Sequence, residues 1–206
     1  MQVVGITGNI GSGKSTIARA FTALGIPVFN SDDEAKKAYS IPSIQIEVRE
    51  ILGSSKGPKE GPKEGPVENI HLDFSKGTWK SEIAAVIFSD EEKRLRLESL
   101  IHTYVRSEFI RWKADQTSKY VIREAALANS FQQENCDWLI EVHAEKETRL
   151  NRVTQRSGLT EEEFNKRDAL QPRNESFPSN KIFAVSNNYN DRVLPEILKI
   201  HELLSA

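Results

Sequence analysis

A chain of 206 residues suits one α/β domain with a substantial core, or one domain carrying smaller lobes, and leaves little room for several large domains. Charged residues make up 28% of it and the formal net charge is −2, so no global basic field draws it to nucleic acid or to an anionic membrane, and any anion site must be local. No basic leader precedes a long apolar run, nothing approaches about 18 continuous apolar residues, and the single cysteine, Cys136, excludes an internal disulfide and a cysteine metal cluster. The expectation is a cytoplasmic protein in which Cys136 is a small apolar filler before a strand; length and composition leave the oligomeric state open.

The first apolar run, Val3 to Ile6, reads as a buried strand and leads into Gly8-Asn9-Ile10-Gly11-Ser12-Gly13-Lys14-Ser15. That stretch is a complete phosphate-binding loop in its proper strand–loop–helix context, since Ser15 to Leu24 follows with helical periodicity. A phosphate group needs several backbone N–H donors converging on it, which glycines permit by close approach and by positive φ. Lys14 would reach the β and γ phosphates, Ser15 would hold Mg²⁺ through its hydroxyl, and the helix N-terminus adds partial positive charge. Ile17, Ala18, Phe21 and Leu24 share one helical face, and Gly25 stops the helix.

Ile26 to Phe29 is the second strand, ending at Asn30-Ser31-Asp32. This brings a carboxylate to the sheet edge where open α/β sheets bind ligands. Asp32 could accept the proton of an alcohol during phosphoryl transfer or cap a helix starting at Asp33 to Ala35, and the two roles can coexist. About ninety residues then separate the second and third strands, far more than one crossover requires, so extra helices should form a lobe here. Within it, Lys56 to Pro66 repeats Lys-Glu-Gly-Pro without an apolar residue and reads as a mobile, solvated insertion. Ser89-Asp90-Glu91-Glu92 reads as a capping box opening a long helix striped by Leu97, Leu100, Ile101, Tyr104, Val105, Phe109 and Trp112.

Tyr120 to Ile122, Trp138 to Val142 and Ile182 to Val185 complete five strands of a mainly parallel sheet. Between the last two, Arg149, Arg152 and Arg156 recur at helical spacing, so the three guanidiniums should point the same way. Gly158 would end that helix and Thr160-x-x-Glu163 would cap the next, giving a short hairpin with an arginine face. Such a hairpin can close over a nucleotide, exclude water and set positive charge against a moving phosphoryl group; the plainer alternative is a solvated face with Glu145 paired to Arg149. A last amphipathic helix carries Val193, Ile197, Ile200 and Leu204 on one side.

A phosphate loop alone covers GTPase switches, motor ATPases and small-molecule kinases. No Asp-x-x-Gly occurs to sense a γ phosphate, which argues against the GTPases even though Asn165-Lys166-Arg167-Asp168 matches the bare Asn-Lys-x-Asp pattern. The remaining residues look like those of the dephospho-coenzyme A kinase family, a likeness that runs over nearly the whole chain. It rests on Thr7 to Thr16, Gly25-Ile26 leading to Asn30-Ser31-Asp32 with Ala35 behind, Ile87-Phe88, Leu100-Ile101-His102, Arg152 with Gln155-Arg156, Gln171, and Ser186-Asn187-Asn188.

The resemblance implies a three-layer P-loop NTPase fold of α/β class. Its core would span about 1–32, 118–143 and 172–206, its helical substrate lobe about 33–117 and its lid about 144–171. It implies transfer of the γ phosphoryl of ATP to the ribose 3′-hydroxyl of dephospho-coenzyme A, the last step of coenzyme A formation, with ATP and Mg²⁺ and with neither nucleic acid nor membrane as partner. On that footing Gly8, Asn9, Ile10, Gly11, Ser12, Gly13, Lys14, Ser15 and Thr16 bind ATP phosphates and Asn187 lines the adenine pocket. Asp32 is the catalytic carboxylate, Arg152 and Arg156 belong to the lid, and His102 is a candidate substrate contact in the lobe.

The chain departs from the family by placing Asn9 where a second glycine is usual, Thr103 where a proline follows the histidine, and Glu124-Ala125-Ala126-Leu127-Ala128-Asn129 where a Pro-Leu-Leu-x-Glu type segment stands. Glu124 could partly replace the missing acid. A kinase of another nucleotide or small metabolite, and a nucleotide-dependent regulatory or assembly ATPase, remain alternatives.

Overall fold

The computed structural model describes residues 1–53, 72–125, 136–169 and 177–206. The Lys56 to Pro66 repeat, the segment from Ala126 to Asn129 and Gln171 lie outside the described residues. Five strands form one sheet: β1 (Gln2–Thr7), β2 (Val28–Asn30), β3 (Tyr120–Glu124), β4 (Trp138–His143) and β5 (Ile182–Ser186). Their order is β2-β3-β1-β4-β5 and every pairing is parallel. Among the described residues eight α-helices accompany them: α1 (Lys14–Ala23), α2 (Ser31–Ala38), α3 (Pro42–Gly53), α4 (Trp79–Ser89), α5 (Glu91–Ala114), α6 (Lys146–Ser157), α7 (Glu161–Ala169) and α8 (Val193–Ser205).

Contacts divide the chain into two compact units, a sheet unit of Met1–Asp32 with Phe109–Ala206 and a helical unit of Asp33–Glu108. In the sheet unit, Val4, Ile6, Ile122, Ile140, Val142 and Val185 face α1 and α8, which cover one side through Ile17, Phe21, Ile197, Ile200 and Leu204. These strands are apolar almost without alternation, as parallel strands covered on both faces must be. Phe21 is fully buried and meets Tyr120 edge to face at 6.4 Å; burying such a ring stabilises by about 2–3 kcal/mol. On the opposite side Phe29 packs against Phe109 and Trp112, each ring 5.3 Å away. That contact puts residues 109–114, read above with the lobe, in the sheet unit.

Helix ends follow the local chemistry. After α1, Gly25 takes φ +81° while its N–H donates to the Thr22 carbonyl and that of Ile26 to Phe21, a left-handed stop that a β-carbon would strain. Thr160 and Glu163 exchange hydrogen bonds as a capping box before α7. The box expected at Ser89 is displaced by one residue. Ser89 closes α4 with its hydroxyl donating to the Val86 carbonyl, and Asp90 caps α5 by accepting from the Lys93 N–H at 3.2 Å. A carboxylate outcompetes a hydroxyl at this position because it also meets the positive end of the helix dipole.

The helical unit has its own core. Val48, Leu52, Leu72, Ile83, Leu97, Ile101 and Val105 are buried there, and Tyr39, Phe74 and Trp79 form a ring cluster with centroids 4.8 and 5.4 Å apart.

Candidate active site

The register sets the site. Glu124 lies opposite both Ile6 and Asn30, so the tips of β1, β2 and β3 end together and the loop leaves from the central strand. β3 runs two residues past the apolar run read from the sequence, through Arg123 and Glu124, both buried. Each charge has partners, as a buried charge requires. Arg123 donates from Nε to the Ser31 hydroxyl at 2.9 Å and lies 4.8 Å over the Phe109 ring. Glu124 accepts from the Ser15 hydroxyl at 2.7 Å and from the Asn30 amide at 3.1 Å.

The loop from Gly8 to Gly13 needs its glycines for space as well as for conformation. Gly13 has φ +94°, and a β-carbon there would sit 2.1 Å from Asn187 Nδ2. At Gly11, with φ +79°, it would sit 2.5 Å from the Arg149 carbonyl. The neighbours press this close because they hold the loop's carbonyls from outside. Asn187 Nδ2 donates to the Ser12 carbonyl at 2.7 Å, and Arg149 Nη1 reaches the Ile10 carbonyl at 3.3 Å. Peptides are planar and trans, so a carbonyl held on one side turns the next N–H to the other. The Gly11 and Gly13 N–H groups are thereby turned away from Arg149 and Asn187, while the Ser12 N–H donates to the Asn9 carbonyl at 3.0 Å. Ser12 Oγ is buried and meets no hydrogen-bonding group among the described residues. The first turn of α1 contains no acidic residue, leaving its positive end open to an anion.

Lys14 sits against this loop, its ammonium donating to the Gly8 carbonyl at 2.6 Å and more weakly to Asn9 at 3.4 Å. Burial lowers its pKa from the usual 10.5, while the charges of Glu124 and Asp32 act in the opposite direction and those of Arg156 and Arg149 reinforce it. Asp32 itself follows two residues after Asn30, the tip of β2, whose amide is bonded to Glu124. Asp32 is exposed in the first turn of α2, which begins at Ser31, one residue before it; the carboxylate therefore stands inside the helix instead of capping it from outside.

Of the three arginines of α6, Arg149 and Arg152 both reach carbonyls of the loop, as their spacing implies, but they differ in what else they engage. Arg149 is buried and pairs with Asp168 of α7, its Nη2 at 3.0 Å from the carboxylate, while its Nε donates to the Ala144 carbonyl. The alternative pair with Glu145 does not form; Asp168 offers a two-oxygen fit to the guanidinium fork. Arg152 approaches the Gly11 and Ser12 carbonyls at 3.5 and 3.4 Å and lies 5.1 Å over the Tyr189 ring. Arg156 is exposed.

Asn187, read with an adenine pocket, is buried and commits its amide to the loop. Thr16 is exposed on α1, with its hydroxyl accepting from Arg19 at 3.4 Å. His102 is exposed on α5 in the helical unit and lines neither of two cavities there, one of about 490 Å³ whose walls include Tyr39, Gln45, Arg49, Phe74 and Trp79, and one of about 420 Å³ whose walls include its neighbour Thr103. Cys136 packs with Ala125, Leu139, Phe177 and Ile182, and burial pushes its thiol up to about 12, which makes it inert filler. The residue that sequence reasoning underweighted is Glu124. An acid at the tip of a buried strand beside a phosphate loop was its signal, masked because the apolar run stops two residues earlier.

The sequence profile of the dephospho-CoA kinase family matches residues 2–50 and 75–190. The dephospho-CoA kinase of Porphyromonas gingivalis is 29% identical over 205 residues, covering 98% of this chain and 94% of that protein. That of Deinococcus radiodurans is 31% identical over 172 residues, covering 82% and 75%. Among solved structures, TT1252 from Thermus thermophilus superposes with a TM-score of 0.76 at 27% identity, covering 98% of this chain and 96% of its own. The dephospho-CoA kinase from Campylobacter jejuni shares the fold, with a TM-score of 0.56 at 22% identity over 99% and 97% of the two chains. A profile matched on both sides of the insertion, over a sheet and loop built as such kinases are built, places this chain in the dephospho-CoA kinase family.

Proposed function

We propose that this protein transfers the γ phosphoryl group of ATP to the ribose 3′-hydroxyl of dephospho-coenzyme A, giving coenzyme A and ADP. The observation that supports it best is the meeting of Lys14, Ser15 and Glu124 at the glycine loop, with Asp32 two residues beyond Asn30, the tip of β2 that is bonded to Glu124. Lys14 leaves the Gly8 and Asn9 carbonyls to meet the β and γ phosphates, and the Ser12 hydroxyl donates to a phosphate oxygen. Asp32, exposed beside the ammonium, accepts the proton of the 3′-hydroxyl as its oxygen attacks phosphorus and the bond to the departing ADP oxygen breaks. Arg152 and Arg156 hold the charge that spreads over the moving phosphoryl group.

The Ser15 hydroxyl and the Glu124 carboxylate, 2.7 Å apart, are hard oxygen donors of the kind Mg²⁺ prefers, and they are the residues assigned to hold it. When bound, the ion neutralises phosphate charge. Recognition of the acceptor is assigned to the helical unit, where the cavity of about 490 Å³ offers ring faces and the Arg49 guanidinium, itself 4.9 Å over Phe74. The enzyme works in the cytoplasm with small molecules as its partners. In support, no helix among the described residues is long and apolar enough to cross a membrane.

The test is to incubate the protein with Mg²⁺, ATP and a panel of alcohols that includes dephospho-coenzyme A, and to follow phosphorylated product by mass spectrometry. One added phosphate on dephospho-coenzyme A alone supports the assignment. ADP release without a phosphorylated acceptor would point to a regulatory ATPase.

A further inference from the structure

Asp168, in the last turn of α7, takes donors from two directions. Arg149 brings Nη1 and Nη2 to its two oxygens, and Asn9 of the phosphate loop brings Nδ2 to Oδ1 at 3.2 Å. Arg149 in turn reaches the Ile10 carbonyl at 3.3 Å and lies 5.4 Å over the fully buried Phe164 of α7. The contacts close a ring: Asn9 side chain, Asp168, Arg149, Ile10 carbonyl, and back to Asn9 through one peptide bond. This ring joins residues 159 apart in sequence.

We propose that Asn9 and Asp168 form a clasp that ties α7 to the phosphate loop, and that Asp168 is a positioning residue for the loop's phosphate-binding peptides. Through Arg149 it holds the Ile10 carbonyl outward, which turns the Gly11 N–H inward. Through Asn9 it keeps that hold in register with the start of the loop. The division of labour among the arginines follows. Arg149, saturated by Asp168 and two carbonyls, is a strut, and the charge free to meet a nucleotide belongs to Arg152 and Arg156. It also follows that α7 and the loop shift together, because moving one alone breaks charge-assisted hydrogen bonds.

The inference rests on the triphosphate site proposed above only for its effect on ATP, and the experiment separates the two. Hydrogen exchange on the full-length, nucleotide-free protein reads the clasp directly. In Asn9→Gly the amides of residues 161–169 should exchange faster by about threefold while those of β1 and β4 stay unchanged, since the Asn9–Asp168 bond is exposed and only a local opening is made easier. In steady state the same variant should raise KM for ATP roughly five-fold, leaving kcat and the KM of the acceptor within about two-fold. A glycine that merely loosens the loop would act equally in an Asp168→Ala background, whereas loss of the clasp adds nothing there. Unchanged exchange in residues 161–169 of Asn9→Gly overturns the clasp, as does a double variant whose effects on KM multiply. If the wild type turns over no ATP, the proposed function fails and the exchange result still decides the clasp.

Discussion

The sheet unit and the helical unit use their polar residues in different ways. Around the phosphate loop, charged and amide side chains are buried and committed: Arg123 to Ser31, Glu124 to Ser15 and Asn30, Arg149 to Asp168, Asn187 to Ser12. In the helical unit several charges sit on the surface in short-range pairs, such as Lys36 with Asp33 and Arg94 with Glu91 and Glu98, and the inward ones, Asp90, Arg49 and Lys93, bind backbone groups of neighbouring helices and turns over a core of aliphatic side chains. Buried polar networks fix geometry because breaking one member strands the others, while exposed pairs are exchanged for water at little cost. The difference teaches where this protein keeps its preorganisation: at the loop.

Substitutions should sort along that line, the largest effects first. Lys14→Ala removes the ammonium that braces the loop and, in the proposed function, meets the phosphates, and should lower kcat/KM by about a thousandfold or more, measured by ADP release. Asp168→Ala leaves the Arg149 guanidinium, 9% exposed, without its carboxylate and should destabilise the fold by about 3 kcal/mol in urea titration. Its acid limb carries a sign: Arg149 holds the Asp168 carboxyl below its usual 3.8, so the pair stabilises fully above that value and is lost as pH falls through the lower, folded one. Wild type and Asp168→Ala should therefore converge in stability at strongly acid pH. At the basic end, Lys14 loses its proton below the ordinary 10.5, and only the charged form meets the triphosphate. KM for ATP should accordingly rise with pH before an unperturbed lysine would titrate. Smallest of all, Arg94→Ala in the helical unit, exposed and paired only at the surface, should change stability by no more than about 0.5 kcal/mol. A larger loss there would break the contrast between the units.

The same contrast governs what could be read from the chain. The parallel sheet, the loop, the helix stop at Gly25 and the cap at Thr160 were legible because each is dictated by local residue chemistry. The displacement of the cap from Ser89 to Asp90 is a near-degenerate choice between adjacent oxygens, decided by where α4 ends. The partner of Arg149 was illegible for a different reason. Helical spacing gives the direction of a side chain along α6, but the carboxylate that captures it stands on α7, and no period reports a partner on another helix. Glu124 and Asn187 were underread likewise, since their partners lie 109 and 175 residues away.

The central claim is that a carboxylate beside Lys14 prepares an alcohol while the loop grips the triphosphate. Asp32→Asn keeps the size of that side chain and removes its basicity, so single-turnover transfer from ATP to dephospho-coenzyme A, measured alongside ATP affinity, tests it most directly. Transfer should slow by about a hundredfold or more with ATP affinity within a few-fold of wild type. Transfer at close to the wild-type rate would contradict it.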